Sequence, residues 1–296
     1  MTNLREVRLR MRAIQQTLQL TKAMNLVSTA KLRKGRRALE DTKPYFDRIQ
    51  KTVFDVFSGA GEIESVFFRK KNPSQEYHTA IIVITSDKGL AGSYNANVFR
   101  QVNELCAKVK NPVLITVGTM GSRYFANSPF AILEDFPFCT QVPTLEYAEE
   151  ISSYVISQYL WGVYDEIHIV YTHMFSSVKV APVERQLIPL DKEEIQRGIA
   201  VLGNEKRVDL EFEYLPSVNE VFDALVPHFF KGMVYCCMVE AFASEQNARM
   251  TAMSESSKSA EDMLASLKIH YNRARQAGIT EEITEIVGGS AALTNR

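Results

Sequence analysis

The stretch Ser244–Leu293 reads SEQNARMTAMSESSKSAEDMLASLKIHYNRARQAGITEEITEIVGGSAAL, and its spacing decides the fold. Apolar or small residues recur in steps of three and four: Met250, Met253, Ser257, Ala260, Leu264, Leu267, Tyr271, Ala274 and Gly278. That is a seven-residue repeat, so the segment is expected to be a helix wound on a partner helix. It holds no proline, Gly278 is its only interior glycine, and Gly288-Gly289 comes just before its end. The proline-free pattern runs back to His228. From there to Val287 is about 60 residues, or roughly 90 Å of helix at 1.5 Å per residue. A compact domain has no room for such a rod. The sequence therefore predicts a projecting helix that needs a partner to bury its seam.

The partner is expected at the other end of the chain. Leu4, Val7, Met11, Ile14 and Leu18 carry the same spacing, and the seam turns small and polar through Thr21, Asn25 and Ser28. Pro44 is the first proline, so helix is possible from Thr2 to Lys43, with Pro44 opening a new segment or kinking the rod before Tyr45–Phe57. Ser58-Gly59-Ala60-Gly61 ends it. Two terminal helices joined through one folded middle make an antiparallel coiled coil with a globular body.

With 296 residues, 46% of them hydrophobic, the chain can form one or two domains with a real core. A formal net charge of −1 gives no reason to expect nucleic-acid binding by bulk charge. The distribution is uneven, however. Residues 1–37 contain ten Lys or Arg and one acid, Glu6. Such a helix calls for an acidic partner, a phosphate surface or solvent. The four cysteines, Cys106, Cys139, Cys236 and Cys237, form no CxxC and fit a reducing compartment. The expectation is a cytosolic protein, or one on the cytosolic face of a membrane.

Between the helices the pattern changes. Residues 69–78 read as a polar linker. Thr79–Thr85 (TAIIVIT) is a continuous apolar run, as expected of a buried parallel strand. The Gly-rich loop Ser86–Asn95 follows, then a helix over Asn97–Lys110, a strand over Pro112–Gly118, a short helix over Met120–Ala126 and a helix over Thr144–Leu160. Strands are expected at Glu166–His173 and Val180–Ile188. Residues 189–209 are a polar excursion, and Leu210–Leu215 a possible last strand before Pro216. The chain enters the C-terminal helix at Asn219, with Pro227 able to break its first turns. The expected class is α/β, with long N- and C-terminal helices forming an antiparallel coiled coil and a central Rossmann-like α/β domain. Its domains are residues 1–58, 75–216 and 219–296.

No catalytic constellation emerges. The loop Asp87-Lys88-Gly89-Leu90-Ala91-Gly92-Ser93 sits where α/β domains bind phosphates, but it is neither GxxxxGK[ST] nor GxGxxG. It reads better as a tight turn needing Gly89 and Gly92. Gly118–Arg123 is a strand-to-helix turn and nothing more specific. His168 and His173 lie five apart on a strand and face opposite sides. No HExxH and no Cys/His cluster of zinc spacing occurs, so neither a metal nor a cofactor is expected. The pairs Glu149-Glu150, Glu193-Glu194 and Glu281-Glu282 do not converge on one point of a helix. Met250, Met253 and Met263 read as seam packing in preference to an adaptable binding surface.

Several motifs carry a resemblance. Ile279–Leu293 (ITEEITEIVGGSAAL) resembles the C-terminal motif of the gamma subunit of F-type ATP synthase. Ser244–Met253, Tyr271–Thr280, Leu20–Gly35 (LTKAMNLVSTAKLRKG) and Thr85–Val98 (TSDKGLAGSYNANV) are similar to other parts of that family, in the same order along the whole chain.

The resemblance implies a non-catalytic rotor shaft of the bacterial type. Its terminal helices would turn inside a ring of three alpha and three beta subunits. Its α/β body would meet the epsilon subunit and the c-subunit ring on the cytoplasmic face of the cell membrane, with the membrane reached only through the complex. It further implies stator contacts at Lys22, Met24, Arg249, Arg275, Gln276, Thr280 and Glu282, and epsilon or c-ring contacts at Lys88 and Tyr214. The basic N-terminal helix would face an acidic beta-subunit loop. Ala91 stands where many members have Cys, Ser254 and Glu255 follow Met253 where Lys is common, and Glu281 replaces a usual Gln. These changes add negative charge to the upper shaft. On the residues alone, a coiled-coil scaffold or tether with an α/β docking domain stays open, as does a phosphate-binding enzyme using Ser86–Ser93.

Overall fold

The computed structural model describes residues 4–59, 63–68, 77–176, 179–190 and 214–294. Helix α1 runs over Leu4–Gly59, and a single 3-10 turn spans Val66–Phe68. Then come β1 (Thr79–Ile84), α2 (Tyr94–Cys106), β2 (Pro112–Val117), α3 (Thr119–Phe125), β3 (Ala131–Phe136), α4 (Leu145–Leu160), β4 (Glu166–Met174) and β5 (Val180–Ile188). Helix α5 occupies Val218–Thr294. The chain separates into two compact units, Ala30–Ala248 and Met1–Thr29 with Arg249–Arg296.

The larger unit is built on a five-stranded sheet in the order β3-β2-β1-β4-β5. β1 pairs in parallel with β2 and with β4, β2 in parallel with β3, and β5 closes the edge antiparallel to β4. The central strand is buried at all six positions, which is why it reads as an unbroken apolar run. Its alternate residues serve two cores. Ile81 and Val83 pack with Val98, Val102 and Leu105 of α2 and Phe125 of α3. Ala80, Ile82 and Ile84 face α4 and the long helices, through Ile151, Val155, Phe46, Val53, Phe222, Phe230, Val234 and Met238. The terminal helices within this unit thus form one cover of the sheet. As the five-residue spacing predicts, His168 lies on the α2 side and His173 on the long-helix side, where it meets Glu240.

The smaller unit is an antiparallel helix pair. As α1 advances from Arg8 to Asn25, its partners on α5 fall from Tyr271 to Met250. Every predicted seam position is covered: Val7, Thr21 and Ser28 of α1 and Met253 and Ala260 of α5 are buried, and the others are half-buried.

The structure departs from the sequence reading at several places. Strand β3 is absent from that reading. Its AILEDF carries two acids and alternates exposed with half-covered residues, so no apolar run marks it. Pro44 and Pro227 both lie inside continuous helices. Around Pro227 the side chains of Phe222, Val226 and Phe230 are fully buried, at about 1.5–3 kcal/mol each, which outweighs the roughly 3 kcal/mol cost of an interior proline. Met263 is half exposed and off the seam. Residues 191–209 of the expected excursion, 210–213 of the possible strand and 69–76 of the linker lie outside the described residues.

Candidate functional site

The helix-pair unit has an unusual seam. Near Val7 it is apolar, but further along it closes on hydroxyls and amides. Thr21 Oγ1 and Ser257 Oγ lie 2.8 Å apart, and Asn25 Nδ2 donates to the Met250 carbonyl at 3.1 Å. Hydrogen bonds between buried polar groups demand one geometry, so they fix the register of the two helices more tightly than apolar contact alone. Arg8 closes the far end. Its Nη2 donates to Tyr271 Oη at 2.6 Å, and its guanidinium sits 5.6 Å from the Tyr271 ring centre.

Beyond this closure α5 goes on alone. α1 begins one turn before Arg8, so among the described residues nothing of this chain runs beside α5 much past Gly278. Residues 279–288 are all exposed. Four of them are large and apolar: Ile279 (47% exposed), Ile283 (55%), Ile286 (72%) and Val287 (62%). Their spacing of four and three puts Ile279, Ile283 and Ile286 on one stripe. Leu9, Leu20, Leu26, Val27 and Ile269 are also exposed in this unit. Scattered apolar residues are ordinary on a surface, but a continuous stripe marks a face made to be covered.

In the larger unit, the loop after β1 is a structural knot. Asp87 Oδ1 accepts from the Thr119 and Phe138 amides at 3.0 and 2.9 Å, and Oδ2 accepts from Thr140 Oγ1 at 2.8 Å. One carboxylate thereby ties together the loops that follow β1, β2 and β3. Ser86 and Asn95 bond to each other twice, at 3.0 and 2.7 Å. The polar groups expected of a phosphate cradle are thus engaged within the fold. The positive φ of this turn falls at Leu90 (64°) and Gly92 (58°), so of the two predicted glycines only Gly92 needs the left-handed region.

The edge of the sheet holds one more titratable cluster. His168 is buried, with Nε2 3.2 Å from Glu166 Oε1 and Nδ1 3.2 Å from Glu184 Oε1. Neither nitrogen is aligned as a hydrogen bond. Glu166 is held below its ordinary carboxylate value, chiefly by His168, with burial acting the other way. Tyr77 Oη donates to Glu166 Oε2 at 3.2 Å, and burial with the Glu166 charge pushes that phenol up to about 12.

The predicted contact residues fall into separate places. Lys22 is exposed and its Nζ lies 2.6 Å from Glu261 Oε1, and Met24 is half-buried. Arg249 is buried. Arg275, Gln276, Thr280 and Glu282 are exposed on two turns of α5, where Thr280 Oγ1 donates to the Gln276 carbonyl at 2.9 Å. From Arg249 to Arg275 is 26 residues of α5, or roughly 39 Å along the helix, so the set is not one site. In the larger unit Lys88 is exposed and Tyr214 packs on the core. The sequence reading missed the Ile279–Val287 stripe. The signal was available: antiparallel pairing from Leu4 leaves the last turns of α5 without a partner. It also missed the Asp87 knot, which depends on loops that only the sheet order brings together.

An antiparallel helix pair with a hydrogen-bonded seam, an uncovered apolar tip and a Rossmann-like sheet defines a stalk-forming subunit of a larger assembly. Residues 3–293 match the ATP synthase family. The chain is 41% identical over 292 residues to the ATP synthase gamma chain of Ruminiclostridium cellulolyticum, covering 98% of this chain and 99% of that one. It is 36% identical to the sodium-ion-specific ATP synthase gamma chain of Acetobacterium woodii, covering 98% and 99%. Its fold is similar to a chain of the Euglena gracilis mitochondrial ATP synthase (TM-score 0.63, 17% identity, 98% and 94% covered). It is also similar to a central-stalk/c-ring chain of the Tetrahymena thermophila enzyme (TM-score 0.59, 22% identity, 80% and 98% covered). The chain belongs to the ATP synthase gamma-chain family.

Proposed function

We propose that this chain is the central rotor shaft of an F-type ATP synthase, present once per three alpha and three beta subunits. The beta subunits carry the catalytic sites. The observation that carries the reading is the tip of α5, which exposes Ile279, Ile283, Ile286 and Val287 and runs beside no other helix among the described residues. A second protein must cover that stripe, and family membership supplies one: the ring of alpha and beta subunits. A single asymmetric shaft presents different contacts to each member of a three-fold ring, and such differential contacts shift the conformational equilibria of each site. Lys22, Met24, Arg249, Arg275, Gln276, Thr280 and Glu282 meet that ring, and Lys88 and Tyr214 face epsilon or the c ring. Residues 1–58 and 219–296 serve as the shaft and 75–216 as the body.

No helix among the described residues is long and apolar enough to cross a membrane. The reading therefore has the chain held at the cytoplasmic face of the membrane through the c ring. The test is to co-purify the chain with alpha and beta subunits of its own source and weigh the complex. One copy per three alpha-beta pairs, with ATPase activity lost when the chain is omitted, is expected. Several copies per complex, or full activity without the chain, would favour a scaffold.

A further inference from the structure

Within the Ala30–Ala248 unit, α1 and α5 are keyed to each other by two reciprocal notches. Gly35 of α1 receives the ring of Phe242, and Gly232 of α5 receives the ring of Phe46. A β-carbon at Gly35 would lie 2.9 Å from Phe242 Cδ1, and one at Gly232 would lie 2.2 Å from Phe46 Cδ1. Both phenylalanines are buried, and Phe46 is boxed in by Tyr45 and Tyr235 at ring distances of 5.2 and 5.7 Å. Gly35 and Phe46 are eleven residues apart and Gly232 and Phe242 ten, so each helix presents a notch and a knob about three turns apart. Sliding or twisting one helix on the other drives a ring against backbone at both ends at once.

The same stretch of α5, Lys231–Phe242, is where the α/β body is fastened. Tyr94 Oη donates to the Ala241 carbonyl at 3.2 Å. His173 Nδ1 lies 2.7 Å from Glu240 Oε2, and Lys231 Nζ 3.2 Å from Glu149 Oε2. The remainder of the contact is a broad apolar face, which resists separation far better than it resists sliding because its attraction is non-directional. Notches and aligned polar contacts resist sliding.

We propose that residues 231–242 of α5 form a torque clamp, the place where rotation of the α/β body is passed to both shaft helices together. Gly35, Phe46, Gly232 and Phe242 act as positioning residues, with His173–Glu240 and Tyr94 holding the body to them. The inference rests on the rotor reading. It adds where within the chain the load is transferred.

The test uses the complete complex in sealed vesicles, measuring ATP hydrolysis and ATP-driven transport of protons and of Na⁺. Gly232→Ala is expected to cut ions moved per ATP by about threefold or more while hydrolysis stays within about twofold, because an unloaded shaft still turns. Phe46→Leu added to Gly232→Ala makes room for the new methyl and is expected to restore coupling, a rescue that the single changes would not give if they acted independently. Unchanged transport per ATP in Gly232→Ala, or failure of the second change to restore it, overturns the clamp. If Gly232→Ala does not assemble, Gly35→Ala with and without Phe242→Leu decides in the same way. The unmodified complex separates the two levels of inference. If its hydrolysis and transport do not depend on this chain, the rotor reading fails; if they do and the variants couple normally, only the clamp fails.

Discussion

Asp87 shows how much one side chain can organise. Sitting on the loop after β1, its carboxylate accepts from the loops that follow both β2 and β3. Replacing Asp87 with Ala should cost about 3 kcal/mol, since hydrogen bonds to a charged acceptor contribute about 1.5–3 kcal/mol each and do not add fully. Urea denaturation of the purified chain measures this, and Asp87→Asn should recover part of the loss. The ionisable residues set two pH limits. Glu166 titrates lower in the folded state than in the unfolded chain, so its contribution is present above the ordinary carboxylate value and disappears as pH falls through the folded value. Cys106 and Cys139 are raised by burial from 9.0 to about 11, so the folded state keeps protons that the unfolded chain has released. Stability should therefore also decline as pH rises from about 9 towards about 11, and melting temperatures taken from acid to alkaline pH should trace a plateau falling at both ends.

At the scale of elements, α5 is not equally stable along its length. From Phe222 to Ala260 it is rich in buried residues, whereas residues 279–288 are bare. This last part also carries Glu281, Glu282 and Glu285, with no Lys or Arg from 276 to 294 to offset them. Like charges three and four apart destabilise a helix, and an unsupported helix of this length is marginal in water. In the isolated chain, amides over 279–294 should exchange with solvent in seconds while those around Met238 stay protected. On assembly with alpha and beta subunits the tip should become protected. Exchange equally slow in both states would show that the tip needs no partner. The elements also show where the sequence was legible. Strand β1 was readable because it is buried at every position, and the helix-pair seam because its apolar or small residues keep a three-four spacing along both helices. Strand β3 was not, because pairing with β2 at the sheet edge makes it a strand in spite of Glu134 and Asp135. Pro227 misled for a related reason, since the residues that hold the helix through it are recognisable as core only once the sheet face they cover is known.

For the whole molecule, the paired helices and the α/β middle are legible in the residue pattern, but how they are joined is not. The notches at Gly35 and Gly232 look in the sequence like helix-weakening glycines, and only the facing phenylalanines give them a purpose. The proposed contact residues divide in the same way. Those on the Arg275–Glu282 turns are inferred from family resemblance alone, because an exposed polar residue on a helix carries no local mark of what it meets. The apolar stripe beside them was missed, although antiparallel pairing from Leu4 leaves those turns of α5 uncovered.

The solitary end of α5 has a bearing on how such chains change over evolutionary time. Residues that touch only their own chain must vary in step with it, so a larger side chain at Gly232 should be found with a smaller one at Phe46. Residues 279–288 are all exposed, and the side-chain bonds of Thr280 and Thr284 go only to their own helix, so packing within the chain constrains their identity little. Their substitutions should follow those of whichever protein covers them. The variation of a ten-residue segment across species would then identify the facing surface of its neighbour without any structure of the two together.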